Sequence, residues 1–311
     1  MVKALTLATT IFCAVLCMGL SATPPSDLVN GTGGRASAEA IQLRETIEKL
    51  ITILNREYFD PELAARVSAA LQEHISTGRY QEARSPDLLA KVLTEDLYAW
   101  TGDKHLVVSP IHPTAAAPPS GSTSDETDRH EEARRANFGI QCIEVFSGNI
   151  GYLNLTAFYR PSETREALAS AMAILRHADA LIVDLRHNGG GSSQTLALFA
   201  SYFFDTQDLE LFQVVLRPPA KPLKFLTETA ALPDRNAQRP MYILTSGDTW
   251  SGGEGFAAIM QDRHRAAVVG QRTAGAGNQA RPFSLGSQLE VVVSNGRAGR
   301  RLGSGAGRGP A

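Results

Sequence analysis

The stretch "YILTSGDTWSGGEGFAAIMQD", residues 242–262, joins a short apolar run to an alanine-rich helical pattern through a turn. The run from Tyr242 to Thr245 is typical of a buried strand. Ser251 stands where the helix begins, and a serine there can cap the free N–H groups of the first turn. A nucleophile at the same place would gain from those groups, because they stabilise developing negative charge. Position alone leaves both interpretations of Ser251 open.

A second informative stretch precedes this one: "LIVDLRHNGGGSSQTL", residues 181–196. A buried strand ends at Asp184 and Arg186, and three glycines then lead into a helical pattern. Such a loop offers backbone N–H groups to an anion. It lacks the lysine of a phosphate-binding loop and the spacing of a dinucleotide fingerprint. A plain tight turn explains the stretch equally well.

The rest of the chain divides into regions that differ in their predicted secondary structure. From Phe138 onward, strand and helix patterns alternate, which predicts an α/β domain with a largely parallel sheet. Residues 37–100 carry helical patterns instead, with Asp60-Pro61 and Ser85-Pro86 each opening a helix. The apolar stripe of the first helix consists of Ile47, Leu50, Ile51 and Leu54. The predicted divisions are a signal peptide (1–22), a helical domain (23–107), a flexible linker (108–137), an α/β core (138–298) and a tail (299–311).

The N-terminus "MVKALTLATTIFCAVLCMGLSA" has an early lysine, an apolar stretch and small residues at Ser21 and Ala22. This pattern predicts a secretory signal that is cleaved after Ala22, and hence a periplasmic or secreted protein without stable membrane insertion. A membrane anchor is the alternative, although the segment is marginal in length for a span. The net charge of −2 and the lack of a basic run with aromatics argue against nucleic-acid binding. No two histidines have metal-ligand spacing, so we expect no metal.

The two stretches together carry a resemblance. "DLRHNGGG" (184–191) followed by "LTSGDTWSGGEGFAAIMQDRHRAAVVGQRTAGAG" (244–277) resembles the tail-specific, or C-terminal processing, serine proteases. Their pattern is an Asp-Leu-Arg-x-Asn-x-Gly-Gly loop, a Ser-x-x-Glu helix start, an Arg-Ala pair and Gly-x-x-Thr. The N-terminal helices and "GDKHLVV" are similar to the branch of interphotoreceptor retinoid-binding protein. The resemblance covers roughly residues 40–297.

The resemblance implies a crotonase-like spiral α/β core that carries an N-terminal helical domain. It also implies that Ser251 attacks a peptide carbonyl and that the N–H groups of Gly252 and Gly190 hold the oxyanion. Supporting roles fall to three further residues: Asp184, Arg186 and Glu254. The implied substrate is a peptide or protein, and no cofactor is needed.

The residue that activates Ser251 departs from the family's common pattern. The best-known members use a lysine 25 residues after the serine, and that position is Ala276 here. No lysine follows Lys224, and residues 108–137 are too short for a PDZ domain. A branch similar to tricorn protease uses an N-terminal histidine with a glutamate from near the C-terminus. His105 fits that histidine, and imidazole has a suitable pKa for a base.

Other interpretations of the histidines stay open. His105 could be a plain surface histidine in a turn, and His187 beside the glycine loop is the second candidate base. If His105 is the base, its ring should lie within hydrogen-bond reach of the Ser251 hydroxyl. Glu254 and Asp103 are the nearby carboxylates that could orient it. We expect Glu254 to point along its own helix and Asp103 to be too close in sequence to His105.

The C-terminus also departs from the family. After "LEVVVSNGRA" the family has a further strand and a stretch with Trp-Glu and Gly-Val-x-Pro-Asp, whereas this chain ends "GRRLGSGAGRGPA". We therefore expect an incomplete C-terminus and an aberrant or disordered tail; a natural basic tail is the alternative. The leading hypothesis is an exported serine peptidase whose activity is impaired by this tail. The competing hypothesis is a non-catalytic binding protein for lipophilic ligands such as retinoids or fatty acids.

Overall fold

The structure of the protein is a computed structural model, and it describes residues 32–111, 123–286 and 288–299. The chain divides into two compact units, residues 1–42 and residues 43–311. The predicted signal peptide and the tail from residue 300 lie outside the described residues. None of the helices in the described part of the chain combines the length and apolar character needed to cross a membrane.

Two of the helices begin where local sequence signals predict them. They are α1 (Thr32–Glu57), α2 (Pro61–Ser76), α3 (Pro86–Thr101), α4 (Thr123–Arg135), α5 (Pro161–Leu175), α6 (Ser193–Ser201) and α7 (Gly252–Asp262). Asp60 and Ser85 cap α2 and α3 by accepting a hydrogen bond from the backbone N–H three residues on. Gly102, in the left-handed region, ends α3. The helix starts at Asp60-Pro61 and Ser85-Pro86 confirm the sequence prediction.

The strands form two sheets. They are β1 (Val107–Pro110), β2 (Ile140–Phe146), β3 (Ile150–Leu155), β4 (Ala180–Asp184), β5 (Glu210–Leu216), β6 (Leu223–Leu226), β7 (Met241–Thr245), β8 (Ala267–Gly270), β9 (Asn278–Ser284) and β10 (Leu289–Gly299). The first sheet has the order β2-β3-β4-β7-β8, and the second has the order β1-β10-β5-β6 with β9 also paired to β10.

The first sheet is the predicted α/β core. Strands β3, β4, β7 and β8 are parallel, and β2 is antiparallel at one edge. Helices α5, α6 and α7 contribute Leu168, Phe199 and Phe256 to the core that buries Val183 of β4 and Ile243 of β7. Because parallel strands end at the same edge of a sheet, the loops that follow β4 and β7 come together there. These loops contain the glycine run and Ser251.

The second sheet is antiparallel, and the sequence analysis did not predict it. Its strand β10 buries Val291 and Val293 in the same apolar cluster as Leu50 of α1 and Leu93 of α3. The helices that were predicted as a separate domain therefore share a core with a strand from the far end of the described chain. Local periodicity shows that a helix has an apolar face but not which distant segment covers it.

Residues 108–137, predicted as a flexible linker, contain regular structure on both sides of residues 112–122, which lie outside the described part. In β1, Val108 is paired with Val291 of β10. In α4, Glu131 binds both Arg134 and Arg135, and such pairs one turn apart stabilise a polar helix. The polar composition that indicates a loop is also the composition of a solvated helix, which explains the difference.

Candidate active site

The glycine loop after β4 lies directly against the turn that precedes α7. The Trp250 N–H donates to the Asn188 carbonyl at 2.8 Å. A Cβ on Gly190 would lie 2.6 Å from Cβ of Ser251 and 2.7 Å from N of Gly252, and Gly190 has φ +87°. Only glycine allows both this φ and this approach. The two stretches that carried the resemblance thus meet at Ser251.

Ser251 does not have the backbone of an ordinary helix cap. Its φ is 50° and its ψ is −112°, whereas a capping serine has an extended backbone with negative φ. A non-glycine residue at positive φ is strained and needs support from its surroundings. Strained turns between a strand and a helix are known to present nucleophilic serines. The geometry therefore favours the nucleophile over the cap.

Glu254 supplies much of that support. One carboxylate oxygen accepts from the Ser251 N–H at 2.9 Å and from the Ala276 N–H at 2.7 Å. The other accepts from the Gly275 N–H at 2.5 Å. The expectation that Glu254 points along its own helix is wrong, because its carboxylate also bridges to the segment after β8. We refer to Ala274–Gly275–Ala276 as the 274–276 loop.

The N–H groups beside Ser251 differ in their availability. The Gly190 N–H donates to the Asn188 side chain at 2.8 Å, so it is not free for an oxyanion, contrary to the sequence expectation. The Gly191 N lies 3.3 Å from the position that a Cβ on Gly252 would take. Within the described part of the chain, the N–H groups of Gly191 and Gly252 meet no acceptor. These two groups are the available donors next to Ser251.

Asp184 and Arg186 secure the base of the glycine loop rather than the reacting centre. The buried Asp184 carboxylate accepts from the Arg186 guanidinium at 2.6 Å and from the Tyr152 hydroxyl at 2.7 Å. Burial alone would raise the pKa of Asp184, but the hydrogen bonds from Arg186 and Tyr152 outweigh it and leave that pKa below its ordinary value. The ion pair holds the end of β4, from which the loop departs.

His105 reaches the same region from the end of α3. Its ring lies edge-on to the Trp250 ring, with 5.6 Å between centroids. Burial lowers the pKa of His105, against the opposing effect of the Asp103 and Glu254 carboxylates. In the described residues, no hydrogen bond joins the His105 ring to the Ser251 hydroxyl, and the buried Nδ1 has no partner. The structure thus places the ring beside the turn of Ser251, and among the described residues no carboxylate binds its Nδ1.

The Asp103 carboxylate binds groups other than the His105 ring. Its carboxylate accepts from the His105 backbone N–H at 3.0 Å and from the Tyr58 hydroxyl at 3.1 Å. This carboxylate fixes the turn that carries His105, but its two hydrogen bonds come from the His105 backbone and the Tyr58 hydroxyl and not from the imidazole. The sequence argument that Asp103 is too close to orient the ring agrees with this arrangement.

The other histidines are poorly placed for this chemistry. His187 is well exposed, with Nδ1 3.8 Å from the Asp248 carboxylate. His74, to which the sequence assigned nothing, belongs to a cluster in which Asp96 also binds Arg79 and Tyr80. Across residues 32–111, 123–286 and 288–299, no cluster of His, Cys, Asp and Glu side chains is suited to a metal ion.

Sequence reasoning missed two residues of the site. Gly191 was covered by the motif, but only the geometry distinguishes its free N–H from that of Gly190. Lys104 was not considered, although its ammonium donates to the Ala274 carbonyl at 2.5 Å. Its position next to His105 in "GDKHLVV" was the available signal.

Comparison with known proteins identifies the family. The profile of peptidase family S41 matches residues 149–304. A profile described as the N-terminal domain of Peptidase_S41 in eukaryotic IRBP, interphotoreceptor retinoid-binding protein, matches residues 39–137. The first match covers β3, β4, β7 and both loops of the site, and the second covers α2, α3 and His105.

Two curated relatives and one solved structure illustrate the similarity. The chloroplastic carboxyl-terminal-processing peptidase 2 of Arabidopsis thaliana is 29% identical over 152 residues, which are 48% of this chain and 28% of the relative. The carboxy-terminal processing protease CtpA of Bacillus subtilis strain 168 is 26% identical over 155 residues, 49% of this chain and 32% of the relative. The chain thus spans less than a third of the length of these relatives. The crystal structure of mature CPAF superposes with a TM-score of 0.56 at 13% identity, covering 86% of this chain and 90% of that one.

Proposed function

This chain belongs to peptidase family S41, and we propose that it is a serine peptidase of the C-terminal processing type, with peptide or protein substrates. One observation carries the proposal: Ser251 is held at φ 50° beside two backbone N–H groups that have no acceptor in the described part of the chain. A strained serine next to unused donors suits the formation of an oxyanion.

In the proposed reaction, the Ser251 Oγ attacks the carbonyl carbon of the scissile bond. His105 takes the hydroxyl proton through Nε2 and then delivers it to the leaving amine. The carbonyl oxygen becomes an oxyanion, which the N–H groups of Gly252 and Gly191 bind in place of the predicted pair of Gly252 and Gly190. Water then hydrolyses the acyl-enzyme by the reverse sequence of proton transfers.

His105 suits the role of base because burial keeps its pKa low and the ring neutral. The neutral ring can accept a proton at Nε2 only if Nδ1 carries the hydrogen, and within the described part of the chain the buried Nδ1 has no partner. In other triads, loss of the carboxylate that fixes this tautomer costs about 10⁴-fold in rate. We therefore expect slow but measurable hydrolysis.

Labelling with a fluorophosphonate probe tests the proposal directly, and hydrolysis of an unfolded peptide provides a second assay. Ser251→Ala should abolish both signals, and His105→Gln should lower both by several powers of ten. His187→Gln is the matched control and should leave them unchanged. Absence of labelling in the folded wild-type protein, or labelling that survives Ser251→Ala, would refute the peptidase proposal.

Export is part of the proposed function and rests on the sequence of residues 1–22. N-terminal sequencing of protein recovered outside the cytoplasm should begin near Thr23. A soluble cytoplasmic product that retains Met1 would contradict it.

A binding function for lipophilic ligands is the second candidate. The observation in its favour is the match of residues 39–137 to a domain described from a retinoid-binding protein. Titration of the tryptophan fluorescence with retinol or a fatty acid would test it. Saturable binding in a protein whose Ser251 never labels would replace the peptidase proposal with the binding function.

A further inference from the structure

Lys104 connects the turn that carries His105 to the loop that Glu254 holds. Its Nζ donates to the Ala274 carbonyl at 2.5 Å, across 170 residues of sequence. Lys104 immediately precedes His105 in the chain. The acceptor loop belongs to the same hydrogen-bonded unit as Ser251, so one bond links the candidate base to the nucleophile turn.

The acceptor of this bond is rigidly held. The Ala274 N–H donates to the Thr249 carbonyl at 3.0 Å. The next two N–H groups of the 274–276 loop donate to the Glu254 carboxylate, which also accepts from the Ser251 N–H. An exposed lysine bond is normally weak because both partners must be ordered. Here the carbonyl is already fixed, so only the lysine side chain loses freedom.

The turn that carries Lys104 and His105 is also attached to the helices. Asp103 accepts from the His105 N–H and from the buried Tyr58 hydroxyl, which attaches the turn to the helices. The His105 ring packs edge-on against Trp250, the residue that precedes Ser251. Asp103 therefore sets the position of the turn on the helices, and Lys104 sets its distance from the core.

We propose that Lys104 is a positioning residue that holds His105 beside the turn of Trp250 and Ser251 by binding the Ala274 carbonyl. The inference rests on the proposed function, because it assigns a role in the approach of base to nucleophile. Lys104 does not itself take a proton in the reaction. A displacement of about 1 Å between reacting groups can cost 10²-fold in rate, so a single bond at this point can matter.

The test compares Lys104→Met, which removes the donor, with Lys104→Arg, which keeps a cationic donor. Lys91→Met is the matched control, because Lys91 lies exposed on α3 near Glu95 at 4.0 Å. We expect Lys104→Met to slow labelling of Ser251 by about tenfold to hundredfold. Lys104→Arg should recover most of the rate, and Lys91→Met should match wild type. A change in folding stability alone would not be reversed selectively by arginine.

Two further readouts separate positioning from general destabilisation. Lys104→Met should move the acid limb of the labelling rate to higher pH, because a released His105 becomes more solvated, which raises its pKa, while the Asp103 and Glu254 carboxylates continue to raise it. Amide hydrogen exchange at Gly275 and Ala276 should become faster than in Lys91→Met. If Lys104→Met equals Lys91→Met in rate, pH profile and exchange, the inference is wrong.

The same variants distinguish a failure of the proposed function from a failure of the role proposed for Lys104. If wild-type protein neither labels nor hydrolyses peptide, the peptidase proposal fails, and amide exchange together with an NMR titration of His105 decides the role of Lys104. Faster exchange and a raised His105 pKa in Lys104→Met would still support the connection. Unchanged values would overturn it.

Discussion

Glu254 holds Ser251 by its backbone: a carboxylate oxygen accepts the Ser251 N–H at 2.9 Å, in the first turn of the helix that the serine opens. The same carboxylate accepts the N–H groups of Gly275 and Ala276. A single ionised side chain thus satisfies three donors and maintains a strained serine. A glutamine at this position would present an amide nitrogen, which cannot accept.

Glu254→Gln should therefore break part of this network while keeping the side-chain size. Loss of a hydrogen bond to a charged acceptor typically costs about 1–3 kcal/mol, and we expect a fall in the free energy of unfolding of that order. The rate of fluorophosphonate labelling should fall with it, because the Ser251 backbone relaxes. Thermal unfolding and labelling kinetics measure the two effects. Glu95→Gln, on the exposed face of α3, is the control; equal behaviour of the two variants would contradict the assigned role.

Gly190→Ala should remove activity for a steric reason. The added Cβ would lie 2.6 Å from Cβ of Ser251, at a φ of +87° that side chains avoid. Forcing alanine into such a conformation destabilises by more than about 1 kcal/mol, and the displaced atoms include Ser251, the proposed nucleophile. Denaturant unfolding and Ser251 labelling should both respond.

Gly247→Ala provides the comparison for Gly190→Ala. A Cβ on Gly247 meets nothing within 4 Å, although this residue belongs to the same turn as Ser251. Its stability and labelling should stay close to wild type. Full labelling by Gly190→Ala would show that the glycine loop does not lie where the structure places it.

The pH dependence of labelling should follow the neutral form of His105. Burial lowers the pKa of His105 from its ordinary value of 6.5, and protonation would remove the proposed base. The rate should therefore be constant near neutral pH and fall on acidification with a midpoint below 6.5. Labelling rates across the acidic range measure this midpoint, and a midpoint above 6.5 would contradict burial of the ring.

The free energy of unfolding should also depend on the titration of His105. The unfolded chain binds a proton on His105 at higher pH than the folded chain, so this histidine lowers stability as the pH falls through 6.5 toward the folded-state pKa. His105→Gln removes the titration. On acidification, the free energy of unfolding should thus fall more for wild type than for His105→Gln. A difference that does not vary with pH would contradict the lowered pKa.

Local signals made parts of this structure predictable. The caps at Asp60 and Ser85 act within one helical turn, so a few letters of sequence contain the whole interaction. The contact between the glycine loop and the Ser251 turn also follows from topology, because these segments follow β4 and β7, two parallel neighbours in one sheet. The role of Ser251 needed the family pattern, since its positive φ cannot be read from the sequence.

The second sheet and the finer geometry of the site were not predictable in this way. Val291 covers the helices from nearly the other end of the chain, and no periodicity encodes that pairing. The choice between Gly190 and Gly191 depends on which N–H the Asn188 side chain occupies. Lys104 acts through a carbonyl 170 residues away. Each of these facts depends on long-range contacts, which local patterns do not specify.

Asp184→Asn tests whether the base of the glycine loop depends on a charge. The carboxylate is buried and binds Arg186 and Tyr152, so removal of its charge leaves the guanidinium without its partner. Breaking a buried pair costs about 3–5 kcal/mol, but the Arg186 side chain is 51% exposed and water screens the loss. We therefore expect a fall of about 2 kcal/mol in the free energy of unfolding at neutral pH, with slower Ser251 labelling.

The pH dependence of the stability loss in Asp184→Asn shows whether the ion pair or packing causes it. The folded-state pKa of Asp184 lies below the ordinary value of 3.8, so the charge contributes its full stabilisation above 3.8 and loses it as the pH falls through the lowered pKa. The difference between wild type and Asp184→Asn in urea unfolding should accordingly shrink in strong acid. Tyr152→Phe, which removes one hydrogen bond and no charge, should cost about 1 kcal/mol. Because this loss involves the same carboxylate, it should also diminish there. A loss in Asp184→Asn that persists unchanged in acid would mean that packing, and not the ion pair, holds the glycine loop beside Ser251.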